Sequence, residues 1–174
     1  MSDKKKQQRT VLVDTSFLIY LANNDAGDDH KTAKKYYDFF LKNNIVMKLS
    51  PIVVAEFHQV QSIADLMQTN NFQILPFNYE DGLRSANVAY ELGGTTRGGR
   101  DKDNVKYMDD IKLLGQAANN NIDFLITHDK STLAKYCIKL QKSGMIKTEV
   151  ILINEPFDGS IFNGGQTAFG LDKA

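Results

Sequence analysis

Four acidic residues stand where chemistry could be done: Asp14, Glu56, Asp110 and Asp129. Asp14 follows the β-branched run Val11-Leu12-Val13, and Asp129 lies two residues beyond the run Phe124–Thr127. Each has an ordinary alternative. A strand-end Asp commonly caps a helix or forms an Asx-turn, and Asp129 ahead of Ser131 suits a helix start. Glu56 shares a helical face with Val60, Ile63, Ala64 and Met67 on a helix expected from Pro51 to about Gln68. That turns a carboxylate toward the interior, where a lone charge is expensive unless Lys or Arg pairs with it. Asp109 and Asp110 both open a helix, where the dipole favours acids. Asp110 aligns with Leu113, Leu114 and Ala117, whereas Asp109 aligns with Lys112, Leu113 and Gln116, so facing alone turns Asp110 inward and Asp109 outward.

Taken together, these acids predict one site. Two carboxylates ~5 Å apart repel by about 3 kcal/mol at an effective dielectric of ~20. A cluster of four must take up protons or bind a divalent cation. Oxygen ligands without thiolate or imidazole select Mg²⁺ or Mn²⁺, which can generate a nucleophile from water and steady a leaving oxygen in phosphodiester hydrolysis. No phosphate-binding loop of the type GxxxxGK[ST] occurs, and no Ser–His–Asp set is evident.

The elements that must position these acids alternate. Strands are expected at Val11–Val13, Ile45–Leu49, Phe72–Phe77, Phe124–Thr127 and Glu149–Ile153. Between them fall a short helix capped by Ser16, a helix from Asp28, the helix from Pro51 capped by Ser50, and helices over about 80–92, 109–119 and 131–142. That order predicts a three-layer α/β/α domain with a mostly parallel central sheet, whose functional crevice lies beyond the carboxyl ends of the strands. Residues 1–10 form a basic tail, 11–153 the domain, and 154–174 a C-terminal tail without clear period, expected to be loosely ordered.

Composition narrows the field. A chain of 174 residues makes one domain and buries roughly 70% of its unfolded surface. One cysteine excludes a disulfide framework and a multi-Cys zinc site, and Cys137 falls on an apolar helical stripe. His30, His58 and His128 are too scattered for a His-based metal site, and His128 reads as a solvated loop residue. The 21 basic and 21 acidic residues balance, which argues against a non-specific DNA coater. Asp14 interrupts the apolar run after the basic N-terminus, so that run is not a signal core, and no stretch reaches the ~18 apolar residues of a membrane span. A soluble, cytoplasmic protein is expected.

The motifs VLVDTSFLIYL, SPIVVAEF and YMDDIKLLGQAANNNIDFLITHDKSTL, with a closing strand after them, resemble the PIN domain, the nuclease fold of many VapC-like toxin ribonucleases. The resemblance runs from Val11 to about Ile153 and implies a metal-dependent endoribonuclease leaving a 3′-hydroxyl and a 5′-phosphate. It matches Asp14, Glu56 and Asp110 to the three family acids and Asp129 to a more variable fourth, with Mg²⁺ or Mn²⁺ as cofactor. Thr127 matches a hydroxyl position near the site, and Ser16 a small polar residue that orients the first carboxylate. Asp109, beside Asp110, leaves the third ligand ambiguous by one position. The chain also departs from a typical toxin of this type in its extended Gly93–Lys106 loop and its C-terminal tail.

That loop carries Arg97, Arg100, Lys102 and Lys106 just ahead of Asp110, with Asp101 and Asp103 among them. It reads either as a solvated mobile loop or as a cover for single-stranded or looped RNA, to which Lys4, Lys5, Lys6 and Arg9 could add phosphate contacts. No aromatic platform for base stacking is evident, because Tyr36-Tyr37 and Phe39-Phe40 fall at helical spacing and suit a core or a dimer face. An antitoxin and a homodimer are the protein partners the resemblance suggests. The competing reading is a non-catalytic PIN-like module that binds RNA or protein. A haloacid-dehalogenase-type phosphatase needs a second Asp where Ser16 stands. A response-regulator receiver needs an acidic pair that Asp14-Thr15-Ser16 does not supply.

Overall fold

The structure is a computed structural model that describes residues 8–93 and 107–163. The strands β1 (Thr10–Val13), β2 (Val46–Leu49), β3 (Phe72–Ile74), β4 (Phe124–Thr127) and β5 (Glu149–Leu152) form one sheet in the order β3-β2-β1-β4-β5. Every neighbouring pair is parallel. Val11, Leu12, Val13, Leu125 and Ile126 have no exposed surface, as expected where helices cover both faces of a parallel sheet.

The helices α1 (Thr15–Ala22) and α2 (Gly27–Lys42) join β1 to β2, and α3 (Pro51–Val60) and α4 (Ala64–Gln68) join β2 to β3. Between β3 and β4 come α5 (Tyr79–Glu91) and α6 (Met108–Asn119), and α7 (Leu133–Lys142) precedes β5. The chain lays β2 and β3 on one side of β1, then returns to lay β4 and β5 on the other. Right-handed crossovers place the two sets of helices on opposite faces, giving the three-layer α/β architecture. The reversal puts a topological switch point between β1 and β4, and their carboxyl ends open there.

The α5–α6 contact is close. A Cβ at Gly115 would stand 2.7 Å from the backbone of Ser85, so the crossing requires glycine. Asn78 and Asp81 form a reciprocal capping box at the start of α5. Asp81 is fully buried and also accepts from the amides of Asn119 and Asn120 at 2.8 and 2.9 Å.

Four local expectations change. The helix from Pro51 is two helices: α3 stops at Val60, and His58 Nδ1 accepts from the backbone N–H of Ile63 across the break. Ser16 does not cap α1; Asp14 does, accepting from the Ser16 backbone N–H. The third strand is three residues long and ends at Ile74, two residues before Pro76 removes a ladder donor. The tail from Asn154 is ordered as far as it is described. Residues Gly159–Asn163 form a 3-10 turn, and Phe157 and Phe162 pack on Tyr36 and Phe39 with ring centroids 4.7 and 4.8 Å apart. Tyr36 and Phe40 therefore belong to the core. Among the described residues no helix is long and apolar enough to cross a membrane. The cations Arg97, Arg100, Lys102 and Lys106, with Lys4, Lys5 and Lys6, lie outside the described residues.

Candidate active site

Asp14 is the first residue beyond β1, and its backbone N–H continues the ladder by donating to Ile126 of β4 at 3.1 Å. Val13 pairs with Ile126, so Thr127 stands beside Asp14 at the switch point. The Thr127 hydroxyl donates to Asp14 Oδ2 at 2.8 Å, and the Ser16 hydroxyl donates to the same oxygen. These donors converge on one oxygen and fix the plane of the carboxylate. Asp14 is both the α1 cap and a nearly buried acid, only 8% exposed.

Glu56 reaches the same edge from α3, whose buried residues are Val53 and Phe57. The apolar stripe used to orient it breaks down, since Val60 is 69% exposed and Ile63, Ala64 and Met67 follow the helix break. What places Glu56 is the packing of α3 against α1, where the Thr15 hydroxyl donates to Glu56 Oε2. Burial raises its pKa and the charges of Asp14 and Asp109 add to that, against the Thr15 hydrogen bond and the Lys112 charge.

Asp110 is half-buried at the start of α6, whereas Asp109 is exposed and paired with Lys112 at 2.8 Å. The pKa of Asp110 is raised to about 7, first by burial and then by Asp14, with Asp129 and Glu56 adding to it and a Thr132 hydroxyl opposing. This carboxyl therefore keeps its proton to higher pH than an ordinary aspartate does. Asp129 is the opposite case. Burial would raise it, but hydrogen bonds from Thr132, Ser131 and the backbone of Thr132 and Leu133 outweigh that and bring it down to about 2. Its Oδ1 accepts from Ser131 N, Ser131 Oγ and Thr132 N at 2.8–3.0 Å, which makes it the acid that starts the turn into α7.

The structure thus brings Asp14, Glu56, Asp110 and Asp129 to one edge, with Ser16 and Thr127 on Asp14, and leaves Asp109 at the rim. None of the four acids forms an ion pair among the described residues. Two residues escaped the sequence reading. Thr15 adjoins Asp14 but serves Glu56, a link between helices that spacing does not reveal; Thr132 serves Asp129 and Asp110 together. His128 is not a free loop residue: its Nε2 lies 3.0 Å from Asp29 Oδ2 and its ring stacks on Tyr20. Cys137 is buried and its thiol is pushed up to about 12 by that burial, which removes it as a nucleophile.

The donor set fits a hard divalent cation: all oxygen, without an ion pair among the described residues, and with one acid raised first by burial and then by Asp14. As the side chains stand, no group of three or more acidic, His or Cys residues among the described residues is arranged to hold one ion. The acids would have to draw together to do so.

A parallel five-stranded sheet with acids gathered at its switch point is the architecture of one class of α/β domain, and the PIN domain sequence profile matches residues 11–139. The chain belongs to the PIN domain family. Solved structures share the fold: VapBC2 from Rickettsia felis bound to a promoter DNA fragment has a TM-score of 0.53 at 18% identity, covering 81% of this chain and 98% of that one. VapC20 from Mycobacterium tuberculosis, described as a sarcin–ricin loop cleaving toxin, has a TM-score of 0.51 at 13% identity, covering 80% and 98%. A toxin–antitoxin complex from Klebsiella pneumoniae has a TM-score of 0.51 at 17% identity, covering 84% and 99%. No curated protein sequence matches the chain significantly.

Proposed function

We propose that this protein is a metal-dependent endoribonuclease that hydrolyses RNA phosphodiester bonds at the Asp14–Glu56–Asp110–Asp129 edge. We further propose that it is the toxin of a toxin–antitoxin pair acting in the cytoplasm. Membership of the PIN family supports a nuclease, and the fold shared with VapC toxins supports the antitoxin partner. The single observation that carries the chemistry is the gathering of Asp14, Glu56, Asp110 and Asp129 at one edge, with no ion pair to any of them among the described residues. An edge that gathers four carboxyl groups gains most from Mg²⁺ or Mn²⁺.

In this reading Asp14 and Asp110 are the principal ligands, and Glu56 and Asp129 complete the set. A bound divalent cation would supply charge neutralisation for the phosphodiester and a more acidic water for attack. The chain's own contribution is orientation and proton handling. Ser16 and Thr127 hold Asp14 with one oxygen engaged, and Thr15 steadies Glu56. Asp110, raised to about 7, is the ligand that would release a proton where a cation is held. Arg97, Arg100, Lys102 and Lys106 are proposed contacts for the RNA backbone, and a homodimer is proposed for the assembled protein.

The test is Mn²⁺-dependent cleavage of a labelled RNA by Asp14→Asn. Loss of a ligand should exceed the ~10–100-fold cost of losing an outer-shell partner. The Asn retains an oxygen for Thr127 and Ser16, so the melting temperature should stay within a few degrees. Retained cleavage would overturn the site. The separation of the acids as they stand favours a second reading, a module that binds RNA or protein without cleaving. That module would show neither Mn²⁺-induced stabilisation nor turnover.

A further inference from the structure

One ring pair, Tyr20 with His128, lies apart from the cluster of rings around Tyr36. The Tyr20 ring and the His128 imidazole stack with centroids 4.3 Å apart and planes 23° from parallel. Both lead back to Asp14. Tyr20 lies one helical turn after Ser16, whose hydroxyl donates to Asp14, and Ser16 Oγ also accepts from the His128 backbone N–H at 2.8 Å. His128 is the residue between Thr127, which donates to Asp14, and Asp129.

The pair is partly exposed and held in place. The His128 side chain is 31% exposed, and Tyr20 is only partly buried. Asp29 on α2 holds the imidazole through Nε2 at 3.0 Å. His30 Nδ1 lies 3.0 Å from the Tyr20 carbonyl, tying the same turn of α1 to α2. On the far side, the Asn154 amide donates to the His128 carbonyl, and Lys130 pairs with Glu155 at 3.0 Å. Two flat rings are thus fixed on the segments that carry Asp14 and Asp129, acids that repel a phosphate backbone until a cation is bound. Rings held in advance of binding lose little conformational freedom when a base stacks on them.

We propose that Tyr20 and His128 form a stacking platform for one base of the RNA strand next to the acid edge. This rests on the ribonuclease reading and names the residues that position its substrate. Stacking on an aromatic face is tolerant of base identity, so the platform would register the strand rather than read its sequence.

The experiment uses the full unsubstituted chain with Ca²⁺ in place of Mn²⁺, so that the acid edge keeps all its ligands and the strand is bound without the cation that cleavage needs. The probes are single-stranded RNA octamers with 2-aminopurine at successive positions, whose fluorescence is quenched on stacking. One position should be quenched on binding. Tyr20→Leu should abolish that quenching and weaken binding about 10-fold, within the range that loss of one stacked base produces. Tyr20→Phe should keep both. An octamer abasic at the quenched position should bind Tyr20→Leu and the Tyr20 protein equally. Quenching at no position, or unchanged quenching in Tyr20→Leu, would overturn the platform while leaving the ribonuclease reading intact. No binding in Ca²⁺ together with no cleavage in Mn²⁺ would overturn both. Should Tyr20→Leu fail to fold, the position-specific quenching and its retention in Tyr20→Phe still decide the matter.

Discussion

The α5–α6 pair places two aspartates away from solvent and treats them in opposite ways. Asp81, fully buried, receives the Asn78 backbone N–H and the amides of Asn119 and Asn120. Asp110, at the other end of α6, is more exposed yet faces Asp14, Asp129 and Glu56, and its pKa rises to about 7. Burial alone does not separate a structural acid from a reactive one. The supply of donors does. Asp129 makes the same point inside the site, since its hydrogen bonds bring it down to about 2 beside an acid raised to about 7. Among the described residues Asp110 has the Thr132 hydroxyl, whereas Asp129 has Thr132, Ser131 and two backbone N–H groups.

The contrast is most sharply broken at its structural end. Asp81→Ala would leave two side-chain amides and a backbone N–H without their acceptor, at roughly 1 kcal/mol or more for each. A loss of about 3 kcal/mol is expected in urea denaturation, with cleavage per folded molecule unchanged. A smaller loss would mean that water replaces the carboxylate, and that Asp81 is less structural than its partners suggest. Gly115→Ala comes next. Its Cβ would meet Ser85 backbone at 2.7 Å, so α5 and α6 must part. Overpacking of this kind costs about 1–3 kcal/mol. Because α6 carries Asp110, this substitution should also lower Mn²⁺-dependent cleavage, unlike Asp81→Ala. Unchanged cleavage would show that the Asp110 end of α6 does not depend on the crossing.

Most of this frame was legible in the sequence, because alternating apolar runs and helical spacing fix which residues must be covered. Val11–Val13 reads directly as a buried strand and Phe124–Thr127 as a strand, and the sheet buries both. The inward turn of Asp110 also followed from its alignment with Leu113, Leu114 and Ala117. Glu56 was selected for a reason that fails: the stripe behind it crosses the break after Val60, where His58 and Ile63 end the helix. What remained hidden depends on contacts between distant segments. The Thr15–Glu56 bond spans 41 residues and the His128–Asp29 contact 99, and no local period encodes either. The order in residues 154–163 was missed for the same reason, since Phe157 and Phe162 find their partners on α2.

The smallest expected effect tests the reactive end of the comparison. The folded-state pKa of Asp110, about 7, lies above its ordinary 3.8, so the folded chain keeps this proton to higher pH than the unfolded chain does. Stability from this group is therefore fully present below about pH 4 and is lost as pH rises from there through 7. Asp110→Asn cannot lose a proton and escapes that decline. In EDTA the variant should match the native chain at pH 4 and exceed it at pH 8, by on the order of 1–2 kcal/mol once solvent screening of a partly exposed group is allowed for. Glu56 is raised too and declines in the same direction in both proteins, so the difference between their urea midpoints reports Asp110 together with its coupling to Asp14, Asp129 and Glu56. Added Mn²⁺ should then reverse the order at pH 8, because only the native carboxylate gains from the cation. Parallel midpoints across the range would mean that Asp110 is no shorter of partners than Asp81, and the distinction between the two acids would fall.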